Sequence, residues 1–96
     1  MNPAEIRAIL RAAKEWYMGK RIILVFQPHT YSRTKALFKE FANSFNDSDF
    51  VGIADIFASA REPKDESISS EMLAEEIKKH HPHPKNVGYA GDWNEG

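Results

Sequence analysis

The chain has 96 residues, of which 42% are hydrophobic and 28% charged, and its formal net charge at pH 7 is −1. This length predicts one small domain with a single hydrophobic core, and the near-neutral charge argues against a general nucleic-acid-binding protein, which would carry a basic surplus. The chain has no cysteine, which excludes disulfide scaffolds and thiolate sites. It also has no signal peptide and no apolar run near the ~20 residues of a membrane span, so we expect a soluble cytoplasmic protein.

The first predicted element is a helix that begins at Pro3. Asn2 is a suitable N-cap, and Glu5 stands where the carboxylate of a capping box reaches back to the cap. The following apolar residues have the spacing of one buried helix face. They are Ile6, Ile9, Leu10, Ala13, Trp16 and Tyr17. Gly19 predicts the end of the helix, and Trp16 and Tyr17 are expected in the core or at its rim.

Three β-strands are predicted, with helical segments between them. Residues 22–26 are continuously apolar and rich in β-branched side chains, which predicts a strand covered on both faces, as in a parallel sheet. Residues 50–54 form the second strand and residues 86–90 the third. The helix predicted between the first two strands has an apolar side. That side consists of Leu37, Phe38, Phe41, Ala42 and Phe45.

A loop and a third helix connect the second and third strands. Residues 58–67 are polar and contain a proline, which predicts a loop. Ser69 is the predicted N-cap of the helix, because Ile68 before it and Leu73 after it have the spacing of a hydrophobic staple. The segment 80–84 ends the helix. The predicted buried stripe contains Met72, Leu73 and Ile77.

The order of these elements is α-β-α-β-α-β with short connections. This order predicts a three-layer, Rossmann-like α/β fold with a mainly parallel three-stranded sheet and right-handed crossovers. Three strands make a narrow sheet. The chain also begins at a helix cap, and residues 92–95 have a capping-box pattern that predicts the start of a further helix. We therefore expect residues 1–96 to be a single domain that is part of a larger α/β unit.

Ligands of open α/β sheets bind beyond the carboxyl ends of the strands. Residues 27–34, 55–62 and 90–92 are predicted to meet at that edge. The first of these segments is the most informative, because it leads from a strand into a helix. The polar residues of this turn are His29, Thr30, Tyr31, Ser32 and Arg33.

This turn predicts an anion-binding site. The free backbone N–H groups of a helix N-terminus attract a carboxylate or phosphate, and Arg33 can add a bidentate guanidinium. In the alternative interpretation, Thr30 or Ser32 only caps the helix and Arg33 is solvated. The residues alone leave both interpretations open.

Other polar residues favour structural roles. Asp55 is expected to bind loop amides rather than a substrate ammonium group, and Arg61–Glu62 to form a surface ion pair rather than a site pair. The cluster of His80, His81 and His83 favours a solvated helix end over a metal site, because prolines interrupt the helix and no carboxylate lies at ligand spacing. Neither a P-loop nor a G-x-G-x-x-G motif is present, so no triphosphate or dinucleotide cradle is predicted.

The segment Val25–Thr34, V-F-Q-P-H-T-Y-S-R-T, resembles the V-F-Q-P-H-x-Y-S-R-T motif of the Mur ligase family, in the branch that joins L-alanine to UDP-N-acetylmuramate. Residues 2–6 resemble the end of that branch's H-[HN]-P-x-E-I segment, and residues 55–62 its D-[IV]-[YF]-A-x-x-R-E segment. Residues 68–74 match the helix that follows. Thr30 stands where many members carry a second arginine, and Met1 stands at the position of the first motif histidine.

The resemblance implies an enzyme of three domains. The N-terminal domain binds the UDP-sugar, the central domain is an ATPase that uses ATP and Mg²⁺, and this chain resembles part of the C-terminal domain. In such an enzyme ATP phosphorylates the muramyl carboxylate, and the alanine amine attacks the acyl phosphate during peptidoglycan biosynthesis. The C-terminal domain closes over the site and helps to hold the amino acid and phosphate groups.

Site residues carried over by position centre on Arg33. The resemblance implies that Arg33 binds a substrate carboxylate or phosphate and that His29, Thr30, Tyr31 and Ser32 shape the same loop. Possible supporting residues are Asn2, Asp55 and Arg61. The 96 residues alone are expected to be inactive, with no catalytic residue, metal or bound cofactor of their own.

Two further functions remain open. The chain is either a stand-alone α/β module that binds a small anion through residues 29–33, or an interaction domain. In the second case, exposed strand edges would dock a partner or a second copy of the chain. No nucleic-acid or membrane partner is expected.

Overall fold

The structure of the protein, a computed structural model, describes residues 1–93. The helices of this range are α1 (Pro3–Trp16), α2 (Tyr31–Ala36), α3 (Phe38–Ala42) and α4 (Ser70–Lys78). The strands are β1 (Ile23–Phe26), β2 (Phe50–Ile53) and β3 (Val87–Tyr89), and two short 3₁₀ helices span Pro84–Asn86 and Ala90–Trp93. No helix within residues 1–93 has both the length and the apolar character needed to cross a bilayer.

The three strands form one parallel sheet in the order β1-β2-β3. Leu24 pairs with Val51, and Val51 pairs with Val87, so these side chains share one face of the sheet. Parallel neighbours need a crossover, and the helical segments between the strands supply it. The predicted α/β, Rossmann-like fold with a parallel three-stranded sheet is confirmed.

Helix α1 begins as predicted but buries less of its surface than its periodicity suggests. Asn2 Oδ1 accepts from the backbone N–H of Glu5 at 2.8 Å, and Asn2 N–H donates to Glu5 Oε1 at 2.7 Å, which completes the capping box. The helix ends at Trp16, before Gly19. Only Ile6 and Leu10 join the core.

The expected burial of Ile9, Trp16 and Tyr17 in the α1 stripe is wrong, whereas Ala13 is partly buried. Ile9 is 51% exposed and Trp16 79%, and Tyr17 is exposed as well. The i, i+4 row of Ile6 and Leu10 faces the core, whereas the side chains of Ile9 and of the last turn of the helix remain largely exposed.

The helical segment after β1 is broken in two. Leu37 has φ −108° and ψ 18°, outside helical geometry, so α2 ends before this residue and α3 begins after it. Phe41, Ala42 and Phe45 are buried as predicted, while Leu37 and Phe38 pack against the core from its margin. The ring centroids of Phe26 and Phe41 lie 5.3 Å apart, which joins α3 to the sheet.

The core lies on one face of the sheet. Its helix residues come from α1, α3 and α4 and belong to one cluster with buried strand side chains. These strand side chains are Phe26, Val51, Ile53 and Val87. The described residues therefore place helices α1, α3 and α4 against a single sheet face, which makes two layers instead of the three predicted.

The opposite face of β1 is open, which contradicts the expectation that this strand is covered on both faces. Ile23 is 65% exposed and Val25 58%, because alternate residues of a strand point to opposite faces and no helix of residues 1–93 covers this one. Farther along the same face, the Trp93 ring lies against Gly52, where an added Cβ would come within 2.7 Å of Trp93 Cζ3. Self-association through the edge of β1 stays a prediction.

Helix α4 has a side-chain N-cap at its start and a buried face that packs into the core. Ser69 Oγ accepts from Met72 N–H at 3.1 Å, so the predicted N-cap is confirmed. Ile68, Leu73 and Ile77 are buried, whereas Met72 is exposed, contrary to the predicted stripe. The capping box predicted at residues 92–95 extends outside the described residues.

Candidate functional site

The loops after β1 and β2 are joined beyond the ends of the strands. Thr30 N–H donates to Phe57 O at 2.8 Å, and Phe57 N–H donates to Pro28 O at the same distance. The side-chain amide of Gln27 donates to Asp55 O at 3.0 Å. The structure therefore brings the first two predicted segments, residues 27–34 and 55–62, to one edge of the sheet.

The turn into α2 contains a strained residue. Thr30 has φ +63° and ψ 144°, a conformation that a β-branched residue rarely adopts and that costs roughly 1–3 kcal/mol. Its Oγ1 accepts from Arg33 N–H at 3.2 Å, and its carbonyl accepts from the Thr34 hydroxyl at 2.7 Å. These bonds, with the one to Phe57, hold Thr30 in place, and Thr30 caps the helix as the alternative interpretation of this turn has it.

The backbone donors of this turn are already engaged, which corrects the expectation that they are free. Tyr31 N–H donates to Glu62 Oε1 at 2.6 Å, and Ser32 N–H donates to Glu62 Oε2 at 3.0 Å. Bonds from the Ser32 side chain and then from these backbone groups lower the pKa of Glu62. The expected surface ion pair of Arg61 with Glu62 is also wrong, because Glu62 points to α2 and Arg61 makes no ion pair within residues 1–93.

The side chains of the turn differ in their freedom. The Arg33 side chain is exposed and makes no hydrogen bond or ion pair within the described part of the chain. The His29 ring packs against Phe57, with centroids 5.3 Å apart. Ser32 is exposed and Tyr31 half-buried. Arg33 is thus the side chain of this turn that is best placed to meet an external anion.

A cleft of about 400 Å³ lies between this turn, the end of β2 and the start of α4. Tyr31, Asp55 and Lys64 line it, together with Ser69 and Glu71. Sequence reasoning missed Lys64, because a single lysine in a polar loop gives no signal until the fold places it beside a cleft. Lysine and arginine at one edge can hold carboxylate or phosphate groups.

Asp55 has a partner other than the predicted loop amides. Its carboxylate accepts from the Tyr89 hydroxyl, which ties the end of β2 to β3 and brings the third predicted segment to the same edge. This hydrogen bond, followed by desolvation and the charge of Asp55, raises the pKa of Tyr89 to about 12. Asp55 therefore stabilises the neutral phenol of Tyr89, and the contact links β2 to β3 at the carboxyl edge of the sheet.

The other two supporting residues have local roles. Asn2 bonds with Glu5 inside the capping box of α1. Arg61 N–H donates to Ser59 Oγ at 3.1 Å, and the Arg61 side chain is exposed. The structure therefore does not join either side chain to the turn at 29–33 by a hydrogen bond between described residues.

The histidine cluster is partly a structural element. His81 is buried, with Nε2 2.9 Å from Ser48 O and Nδ1 accepting from His83 N–H at 2.9 Å, so it is not part of a solvated helix end. His80 lies 3.4 Å from Glu76 on the surface of α4. Within residues 1–93 no three histidine, aspartate or glutamate side chains are grouped as metal ligands.

Known proteins resemble the chain throughout its length. UDP-N-acetylmuramate–L-alanine ligase of Trichlorobacter lovleyi is 44% identical over 94 residues, which cover 98% of this chain and 20% of that protein. The enzymes of the same name from Clostridium novyi and Ligilactobacillus salivarius are 49% identical over 86 residues and 53% identical over 78. These matches cover 18% and 17% of those two enzymes, so the chain spans about a fifth of its relatives.

A family model agrees with these relatives. The model described as Mur ligase, glutamate ligase domain matches residues 1–96, and the matched range includes the turn at 29–33 and the Glu62 loop. With the fold, the sequence motif and the family model in agreement, the chain belongs to the Mur ligase family.

Proposed function

We propose that residues 1–96 form part of the C-terminal domain of an ATP-dependent ligase that joins L-alanine to UDP-N-acetylmuramate in peptidoglycan biosynthesis. The names of the relatives support this proposal, as does the V-F-Q-P-H-T-Y-S-R-T segment at the carboxyl edge of the sheet. The partners of this domain would be the N-terminal UDP-sugar domain and the central ATPase domain of the same cytoplasmic enzyme.

The observation that carries the proposed role of the domain is the free guanidinium of Arg33. Because this side chain extends from the carboxyl edge of the sheet without a partner in residues 1–93, it can bind a carboxylate of the substrate or a phosphate group. When the amine attacks the acyl phosphate, negative charge develops first on the carbonyl oxygen and then on the phosphate as the bond between the acyl carbon and the phosphate oxygen breaks. A fixed cation at that position lowers the barrier.

The other residues of the turn shape the position of Arg33. The strained Thr30 and the His29–Phe57 stack hold the backbone, while Tyr31 and Ser32 anchor it through their N–H groups. ATP and Mg²⁺ would be held elsewhere in the complete enzyme, because this chain has no P-loop, the motif that holds the nucleotide phosphates and their Mg²⁺.

The proposal is tested in the complete ligase that carries this chain as its C-terminal domain. The assay measures phosphate release that depends on L-alanine, with UDP-N-acetylmuramate, ATP and Mg²⁺ present. Arg33→Ala is expected to lower kcat/KM by roughly 10²–10³-fold, since one electrostatic stabiliser is worth about 2.7–4 kcal/mol. Arg33→Lys should recover part of that loss, because it keeps the charge without the bidentate geometry.

Arg11→Ala is the matched control, because Arg11 is an exposed arginine on α1 and should leave turnover unchanged. Absence of alanine-dependent turnover in the wild type would contradict the proposed activity. If the isolated chain then binds phosphate or L-alanine and loses that binding in Arg33→Ala, the stand-alone anion-binding module replaces it. Normal turnover of Arg33→Ala would retain the ligase but reject the proposed site.

A further inference from the structure

A carboxylate from the loop after β2 holds the first turn of α2. Each oxygen of Glu62 accepts one backbone N–H, Oε1 from Tyr31 at 2.6 Å and Oε2 from Ser32 at 3.0 Å. The first N–H groups of a helix have no carbonyl partner within the helix. Because both oxygens are used, the contact fixes the orientation of the turn as well as its distance from the loop.

This contact lies between two other connections of the same loop to the α2 region. Thr30 N–H binds Phe57 O at the beginning of the loop, at 2.8 Å. Lys35 Nζ lies 3.6 Å from Asp65 and donates to the Ser67 hydroxyl at 3.1 Å near its end. A change at Glu62 alone would leave both outer connections in place, so the loop should stay attached.

Each of the three backbone N–H groups at the start of α2 has an acceptor within the protein. Glu62 accepts from Tyr31 and Ser32, and Thr30 Oγ1 accepts from Arg33 N–H at 3.2 Å. None of these three backbone N–H groups is free to bind an anionic group of the substrate. The negative charge of Glu62 also repels such a group from the turn. The guanidinium of Arg33 has no such partner within residues 1–93.

We propose that Glu62 is a positioning residue: it fixes the turn from which Arg33 extends and directs the anionic group of the substrate to the guanidinium instead of the backbone. This inference rests on the proposed function, because it assumes that Arg33 binds substrate. It assigns a role to a residue outside the V-F-Q-P-H-T-Y-S-R-T segment.

The contact has a definite pH dependence. Glu62 has a lowered pKa, so the contact is complete above the ordinary value of 4.5 and is lost as the pH falls through the lower value in the folded protein. The charge of Asp65 opposes this lowering of the Glu62 pKa. Glu62 lies in a surface hollow, which Lys64 and Glu66 line on the loop side. On the α2 side the hollow is lined by Tyr31 and Ser32.

The first experiment tests the contact in the 96-residue chain by NMR. The amide protons of Tyr31 and Ser32 should titrate together, with a midpoint below 4.5, and Glu62→Gln should abolish that titration. Glu66→Gln is the matched control, because Glu66 is an exposed carboxylate of the same loop and should leave the titration intact. Amides that do not titrate in the wild type, or that still titrate in Glu62→Gln, would refute the contact.

The second experiment tests positioning in the complete ligase. Glu62→Gln should raise the KM of the same substrate whose KM increases in Arg33→Ala. The expected increase for Glu62→Gln is roughly 3- to 30-fold, within the range found for residues coupled through one network, with little change in kcat. In the Arg33→Ala background it should have no further effect, since Glu62 acts through Arg33. If Glu62→Gln leaves the KM unchanged, or has the same effect with and without Arg33→Ala, the positioning role of Glu62 is refuted.

The two proposals can fail separately. If Arg33→Ala has no effect on turnover, the proposed site of the ligase is rejected, and the inference about positioning is rejected with it. If Arg33→Ala impairs turnover while Glu62→Gln does not, only the positioning role is rejected.

Discussion

Two adjacent residues of α1 provide a sharp test of where the core lies. Leu10 is 1% exposed and belongs to the core, whereas Ile9 is 51% exposed, although the sequence periodicity puts both on the buried stripe. Leu10→Ala removes three buried carbon atoms and leaves a cavity. Changes of this kind cost about 2–5 kcal/mol.

The matched change Ile9→Ala should cost much less. Substitution of a half-exposed side chain away from special features changes the free energy of unfolding by no more than about 0.5 kcal/mol. The higher helix propensity of alanine also offsets a small part of the loss. Urea unfolding of the 96-residue chain, followed by circular dichroism, measures both. With a slope of about 1–3 kcal/mol/M, Leu10→Ala should lower the midpoint by roughly 0.7–5 M, and Ile9→Ala by less than about 0.5 M.

The slope of the unfolding curve decides whether the comparison is valid. An unchanged slope means that each variant unfolds from the same native state to the same denatured state. Similar losses for Ile9→Ala and Leu10→Ala would refute the orientation of α1 described above. A loss below about 1 kcal/mol for Leu10→Ala would show that α1 does not pack against the sheet core.

Two other predictions concern the capping box and the sheet edge. Asn2→Ala should lower the free energy of unfolding by about 1 kcal/mol, measured by urea unfolding, because the N–H of Glu5 loses its partner; an unchanged midpoint would contradict the capping box. The 295 nm absorbance difference between wild type and Tyr89→Phe should titrate near pH 12, and its midpoint should fall toward 10 in Asp55→Asn. Because the folded pKa of Tyr89 is raised, its stabilising contribution is complete below pH 10 and lost as the pH rises through 12. A midpoint that Asp55→Asn leaves unchanged would contradict the Asp55 contact.

Local chemistry in the sequence was sufficient to predict most of the elements, but not the break at Leu37 that divides the second predicted helix. The capping box of Asn2 and Glu5, the N-cap at Ser69 and the apolar runs of the strands depend on residues within a few positions of one another. The order of elements then predicted a parallel sheet, and the loop after β1 was correctly placed at its carboxyl edge. The resemblance at residues 25–34 added the family.

Only the tertiary structure decided which surfaces are covered and which donors are free. Ile9 and Val25 look buried by pattern, yet their exposure depends on whether another element reaches them. The N–H groups of Tyr31 and Ser32 look available, yet Glu62 reaches them from a loop that follows a different strand. Periodicity and capping are properties of neighbouring residues, whereas burial and long-range hydrogen bonds depend on the path of the whole chain, and no local pattern specifies that path.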